Sequence, residues 1–329
     1  MPEPGWTALP AEGGSVYLDG AGCLVWAESG VTAVTLPNAV TGIGPSAFQG
    51  CRALRSADLS QSAVTEIGKL AFAGCAALEN VAFPPCLKRI GDQAFLNCRS
   101  LAALTLPEGV EEIGKFAFRT CISLRTLTLP DTLLRLGQGA FEYCEGLETV
   151  RLSENLAEIP PWCFGRCVSL REITVPGSVK NLWEYAFYCS GLETLRLEEG
   201  VELLGDEAFS NCDALHTVWL PCSLRSIGYG TFLECWALRR VIYAGTYADW
   251  QQVEAWGGNN RLWNARFTYL GDRAFGDVND DGTVDFSDAH VLFRFVSGDA
   301  APVVYPDDVN GDGSVNDRDV MALYRMLIL

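Results

Sequence analysis

Two twelve-residue stretches near the C-terminus hold the densest set of oxygen ligands in the chain. Residues 277–288 read Asp-Val-Asn-Asp-Asp-Gly-Thr-Val-Asp-Phe-Ser-Asp, and residues 308–319 read Asp-Val-Asn-Gly-Asp-Gly-Ser-Val-Asn-Asp-Arg-Asp. Each stretch has side-chain oxygens at positions 1, 3, 5, 9 and 12 and a glycine at position 6. A hard divalent cation takes about six to eight oxygens, and this spacing wraps them around one point once a sharp turn at position 6 folds the carboxylates inward. Gly282 and Gly313 provide the turns. The side-chain donors are then Asp277, Asn279, Asp281, Asp285 and Asp288 in the first loop. In the second they are Asp308, Asn310, Asp312, Asn316 and Asp319. The backbone carbonyls of Thr283 and Ser314 fill position 7, and Val284 and Val315 at position 8 are placed to pair the loops. Two Ca2+ ions are the expected cofactors. An acidic solvated linker has no reason to repeat twelve positions in register twice.

The rest of the 329 residues must be read against this acidic end. The chain has 24 Lys plus Arg and 41 Asp plus Glu, a net charge of −17. Residues 271–329 hold 12 of the acids and 4 of the bases, net −8, which leaves net −9 for the other 270 residues and marks a boundary near Leu270-Gly271. A chain this acidic carries no electrostatic footprint for nucleic acid or anionic lipid. Two histidines make a histidine-rich zinc site or a Ser-His-Asp triad a poor expectation. Hydrophobic residues at 49% supply ample core, but no apolar run reaches the ~18–20 residues of a membrane span. The opening MPEPGWTALP has no apolar stretch of the signal-peptide kind.

Before the boundary, one pattern repeats. An Ala-Phe-x-x-Cys theme recurs with phenylalanine at 48, 72, 95, 118, 141, 164, 187, 209 and 232, at spacings of 22 to 24 residues. In the clearest copy, Leu101 to Cys121, an alternating segment ends at Pro107, and a second extended piece, Val110-x-x-Ile113, closes at Gly114. The phenylalanine piece then returns the chain as a short helical turn. No unit this small can bury its own leucines, so the units must stack around one continuous core. Pro160-Pro161 and Trp183 replace the turn glycine in two units, and Cys189 lies in a unit one residue short, so an irregularity is expected over 156–190.

This pattern resembles the BspA-type leucine-rich repeat, a class common in secreted and surface proteins of bacteria and some protozoa. The resemblance implies an α/β leucine-rich-repeat solenoid of short strands and short helical turns. Its expected parts are an N-terminal cap at 1–30, about nine repeats at 31–243 and a closing flank at 244–271. The paired loops, each with Asp at position 12 and a helix only after it, resemble a type I dockerin, which implies a small all-α calcium-binding module at 272–329. The resemblance implies the ligand set Asp277, Asn279, Asp281, Thr283, Asp285 and Asp288, with Asp308, Asn310, Asp312, Ser314, Asn316 and Asp319. It also implies a partner, the cohesin module of a scaffoldin, read by Phe286, Ser287, Phe293 and Arg294 in one half and Asp317, Arg318, Tyr324 and Arg325 in the other. The small hydroxyl pair usual at the first two reading positions is absent here.

Thirteen cysteines, nine of them near the repeat period, read as small buried hydrophobes and not as a disulfide framework. Cys189 is counted in that ladder. Cys163 and Cys167 are the one close pair, and a bridge between them would need unusual backbone geometry. So many thiols in an exported protein point to an anaerobic habitat.

On the strand faces of the stack, threonines are ordinary filler. Arg151, Arg196, Trp219, Arg240 and Ile242 are of the types enriched at binding hot spots, and they form a candidate partner patch for an unknown protein or glycan. The expected function is therefore a non-catalytic secreted protein that docks through its dockerin and presents a repeat surface. A fragment of a polysaccharide-degrading enzyme and a host-directed adhesin stand as alternatives. The repeat leaves no spare stretch for the paired-carboxylate cleft of a glycosidase.

Overall fold

A computed structural model describes residues 3–272, 274, 276–279, 281–298, 309 and 314–328. It divides into two compact units. One comprises Met1–Val241 and Gln251–Arg266, and the other Ile242–Trp250 and Phe267–Leu329. No helix among the described residues is long and apolar enough to cross a membrane.

The first unit is a β-solenoid, part of an array of about 11 turns. Its N-terminus is an antiparallel meander of Thr7–Ala11, Gly14–Leu18 and Cys23–Ala27, and the last of these pairs in parallel with Gly42–Ile43 to start the stack. Two parallel ladders run from coil to coil. One is built of two-residue strands such as Arg89–Ile90, Glu112–Ile113 and Arg135–Leu136, and the other of strands such as Thr126–Thr128 and Thr149–Arg151.

The segment expected as a short helical turn is instead a run of tight turns, because its amides alternate between two kinds of partner. In the coil at 91–98, Ala94, Leu96 and Cys98 donate to carbonyls three residues back. Gln93, Phe95 and Asn97 donate to Lys115, Ala117 and Arg119 of the next coil. An α-helix would turn every N–H inward and leave the next coil unbonded. The alternation places non-glycine residues such as Gln93 (φ 57°) and Asn97 (φ 61°) in the left-handed region, a local strain that the coil-to-coil bonds hold in place.

Inside, the nine phenylalanines form one stack. Neighbouring rings from Phe48 to Phe232 lie 4.8 to 5.6 Å apart and within 14° of parallel. Beside it runs a thiol ladder. Cys75, Cys98, Cys121 and Cys144 each donate from Sγ to the carbonyl of the phenylalanine one coil back, at 3.1 to 3.4 Å. All thirteen cysteines are free. Burial pushes the thiols of Cys98, Cys144 and Cys212 up to about 12.

Cys189 does not belong to this ladder. Ser190 occupies the buried position and bonds Cys212 Sγ at 3.2 Å, while Cys189 takes the left-handed surface position at φ 53°. The ladder position lies three residues after the phenylalanine, and here a hydroxyl fills it and bonds the next thiol of the ladder.

The irregularity expected over 156–190 is a break in the ladders. The two-residue strands stop at Arg135–Leu136 and resume in a new sheet at Glu158–Ile159. In other coils the residue after the strand donates to the coil before, as Gly137 does to Ile113 at 2.8 Å. Pro160 has no N–H to offer Leu136. Trp183 keeps its bond to Ile159 at 2.9 Å, so the tryptophan departure leaves the ladder intact. The other ladder breaks at the same coil, between Thr149–Arg151 and Glu172–Val175, and also between Asn80–Ala82 and Leu104–Thr105.

Four helices occur among the described residues: α1 (Tyr247–Trp250), α2 (Asn260–Trp263), α3 (Phe286–Val296) and α4 (Asp317–Ile328). In the second unit, α3 buries Ala289 and Leu292, and α4 buries Val320 and Leu323, at the spacing that lines one helix face. With Val278 these four residues make a small core, and Val284, Val309 and Val315 pack against it.

Candidate functional site: two acidic loops and the repeat surface

The first loop is organised by its carboxylates, each accepting from backbone N–H groups. Asp277 Oδ1 accepts from Asp281 N at 3.2 Å and its Oδ2 from Gly282 N at 3.1 Å, which bends the chain at the glycine (φ 88°). Asp281 Oδ1 accepts from the Thr283 hydroxyl and from Thr283 N. The hydroxyl bond is the main reason its carboxyl is held below the ordinary value. Asp285 caps α3 by accepting from Ser287 N at 2.7 Å. Asp288, fully buried in the first turn, closes the loop by accepting from Asn279 N at 2.9 Å and Asp285 N at 2.8 Å.

The second loop repeats the closing geometry where it is described. Asn316 N donates to Asp319 Oδ2 at 2.7 Å, and Arg318 N to Asn316 Oδ1 at 2.9 Å. Asp319 is as buried as Asp288. Asp308, Asn310 and Asp312 lie outside the described residues.

Among the described residues, no three His, Cys, Asp or Glu side chains are gathered into a group able to hold a metal ion. The donor chemistry nonetheless fits Ca2+. The donors are carboxylates, amide oxygens and carbonyls only, arranged on one turn, with a buried Asp closing each loop. Asp277, Asn279, Asp281, Asp285, Asp288 and the Thr283 carbonyl would hold the first ion. Asn316, Asp319 and the Ser314 carbonyl would contribute to the second. Bound Ca2+ would supply the charge that draws these oxygens to one centre.

The residues expected to read a partner stand on the outer faces of α3 and α4. Phe286 and Phe293 are each 55% exposed. Ser287, Asp317, Arg318 and Arg325 are exposed, and Arg294 and Tyr324 are half-buried. Two of these residues meet across the halves, where the Phe286 and Tyr324 rings lie 5.8 Å apart.

On the repeat surface, Arg196 and Trp219 are register partners on adjacent strands, with the guanidinium 5.3 Å from the ring centroid. Arg151 lies in a different sheet, across the ladder break, and is tied to Asp131 by bonds of 3.0 and 3.2 Å. Arg240 is half-buried. Ile242 is fully buried, which corrects its place in an exposed patch. Its strand, Arg240–Tyr243, has three consecutive buried residues. Trp250 meets the Tyr243 ring edge-on at 5.1 Å and Phe267 lies against Trp250 at 4.9 Å.

The sequence reading also missed a strip along the turn edge. Arg119 lies over both Phe116 and Tyr143, and Arg166 over both Tyr143 and Tyr188, at 5.3 to 5.5 Å. Its only sequence signal is the clustering of aromatics at variable positions of neighbouring repeats.

Comparison with known families decides what this architecture is. Residues 24–148 and 136–252 match the BspA type leucine rich repeat region, in six copies. The chain belongs to the BspA-type leucine-rich repeat family. Residues 275–328 match the dockerin type I domain, so this BspA-type array is joined to a docking module of a recognised kind. Both are non-catalytic modules. Among solved structures, a leucine-rich repeat protein from Bacteroides ovatus is similar at 25% identity and TM-score 0.61, over 83% of this chain and 79% of that one. A leucine rich repeat protein from T. pallidum aligns at 24% identity and TM-score 0.42, over 70% and 91%. One from Eubacterium ventriosum aligns at 18% and 0.45, over 80% and 75%. A comparison with curated proteins returns no match.

Proposed function

We propose that this protein is a secreted, non-catalytic component that attaches through calcium-dependent docking to a cohesin module of a scaffoldin and presents its repeat array as a recognition surface for protein or polysaccharide. The observation that carries the reading is the duplication in the C-terminal module. Two loops end in a buried aspartate with the same backbone bond, and each leads into a helix with exposed reading residues. A pseudo-twofold pair of near-identical halves could bind in either of two orientations. Here the halves differ in kind, because Phe286-Ser287 offers an aromatic and a hydroxyl whereas Asp317-Arg318 offers two charges. A partner complementary to one pair leaves a desolvated charge opposite the other, costing about 1–3 kcal/mol, so one orientation dominates by about tenfold or more.

The test is capture of the full chain by cohesins from the source organism, with Ca2+ and with EDTA. Capture is expected only with Ca2+, and lost when the reading residues of one half are substituted while the other half tolerates the same change. A folded, calcium-loaded chain that no cohesin captures would overturn the attachment.

A further inference from the structure

One position of the repeat, the residue directly after each two-residue strand, is glycine in most coils. The reason is steric. A Cβ on Gly205 would lie 2.7 Å from the backbone nitrogen of Glu184, and one on Gly228 would lie 2.6 Å from that of Asp206. The coils approach too closely there for any side chain to stand between them.

Trp183 and Trp256 occupy the same position at either end of this pair of glycine coils. Both keep the ladder bond, Trp183 N to Ile159 and Trp256 N to Ile227, each at 2.9 Å. Three coil steps separate them, roughly 14 Å at the usual strand spacing. The result is a trough of about 320 Å³, floored by bare backbone at Gly205 and Gly228 and bounded by one indole at each end.

The two walls differ in how they are held. Trp183 donates from Nε1 to Glu158 Oε2 at 2.7 Å. Trp256 is 66% exposed, and the Tyr229 ring lies beside the chain at Gly257 and Gly258, where an added Cβ would meet it at 3.7 and 3.4 Å. Glu184 and Asp206 line the trough between them. Asp206 is exposed, and its Oδ1 accepts from Tyr229 N at 2.7 Å. The Glu184 carboxylate makes no hydrogen bond or ion pair with any described residue.

Flat aromatic faces with outward carboxylate acceptors on a side-chain-free floor suit a ligand that is apolar on its ring faces and rich in hydroxyl donors at its edges. Anions are repelled by Glu158, Glu184 and Asp206. We infer that the trough between Trp183 and Trp256 is a carbohydrate-binding site for a short run of neutral pyranose rings, stacked on the indoles with hydroxyls donated to Glu184 and Asp206. This deepens the recognition role proposed above, and it rests on the repeat array being the recognising part.

The full calcium-loaded chain should be titrated with xylo-, cello- and manno-tetraose, read by calorimetry and tryptophan fluorescence, beside the variants W256A, W183F, E184Q and W219A. Trp256 is exposed, so its replacement should leave the thermal midpoint unchanged. The inference expects at least one of these glycans to bind, a loss of affinity of about tenfold or more in W256A, a smaller loss in E184Q, and no change in W219A. Glycan binding lost in W219A but kept in W256A would overturn the trough and leave the array's recognition role standing. Binding of none of these glycans, or of a lysine-rich peptide in their place, would also overturn it. Cohesin capture scores the attachment separately in the same preparations.

Discussion

In the repeat array each buried position recurs about once per coil, so Phe118 packs between Phe95 and Phe141, and losing one ring leaves partners on either side. Among the described residues of the C-terminal module, five buried apolar residues form the core, beside the buried aspartates Asp277, Asp288 and Asp319. The array buries apolar surface through redundancy. The module has too little core to stand on alone and gathers acids that repel one another unless a cation joins them. Stability is thus shared over many equivalent coils in one region and concentrated on two loops in the other.

The largest way to break that contrast is to remove metal. EDTA should unfold the C-terminal module and leave the array intact, which hydrogen exchange would show as loss of protection in α3 and α4 alone. Protection in α3 and α4 that survives chelation would remove the distinction between the two regions.

Next comes the phenylalanine stack. Phe118→Ala should cost about 3–5 kcal/mol in urea unfolding of the array, with the calcium response of the module unchanged. A cost below about 1 kcal/mol would mean that the rings are not stability-determining.

The thiol ladder sharpens the comparison further. Cys121→Ala removes one of the two donors to the Phe95 carbonyl, which keeps the Cys98 N–H, and should cost about 1 kcal/mol, whereas Cys121→Ser should cost less, since the array already accommodates Ser190 at the equivalent position. Because burial raises Cys98, Cys144 and Cys212 from 9.0 to about 12, their contribution is fully present below pH 9. It should fall as the pH rises from there through about 12. Thiol titration should find Cys222 reactive in the native chain and all thirteen reactive only in denaturant.

The smallest effect belongs to the ion pairs between coils. Arg55→Ala removes a pair with Glu79 whose side chains are 70% and 52% exposed, and should cost less than about 1 kcal/mol, vanishing in high salt.

Sequence alone determined the features that depend on spacing. The phenylalanine period required a stacked core because one unit cannot bury its own leucines, and the twelve-residue pattern around Gly282 required the Asp277 carboxylate to fold back onto a turn. Pro160 announced an irregularity because a missing N–H is a local fact. Tertiary structure decided whatever depends on the neighbouring coil. Counting cysteines placed Cys189 in the ladder, but packing placed Ser190 there, since only position relative to the phenylalanine fixes which side chain points inward. Alternation along the strand put Ile242 in solvent, but the folded chain buries it completely. Trp183 read as a defect of one repeat. It became the wall of a trough only when stacking set it three coils from Trp256, a juxtaposition that the 72 intervening positions of chain do not encode locally.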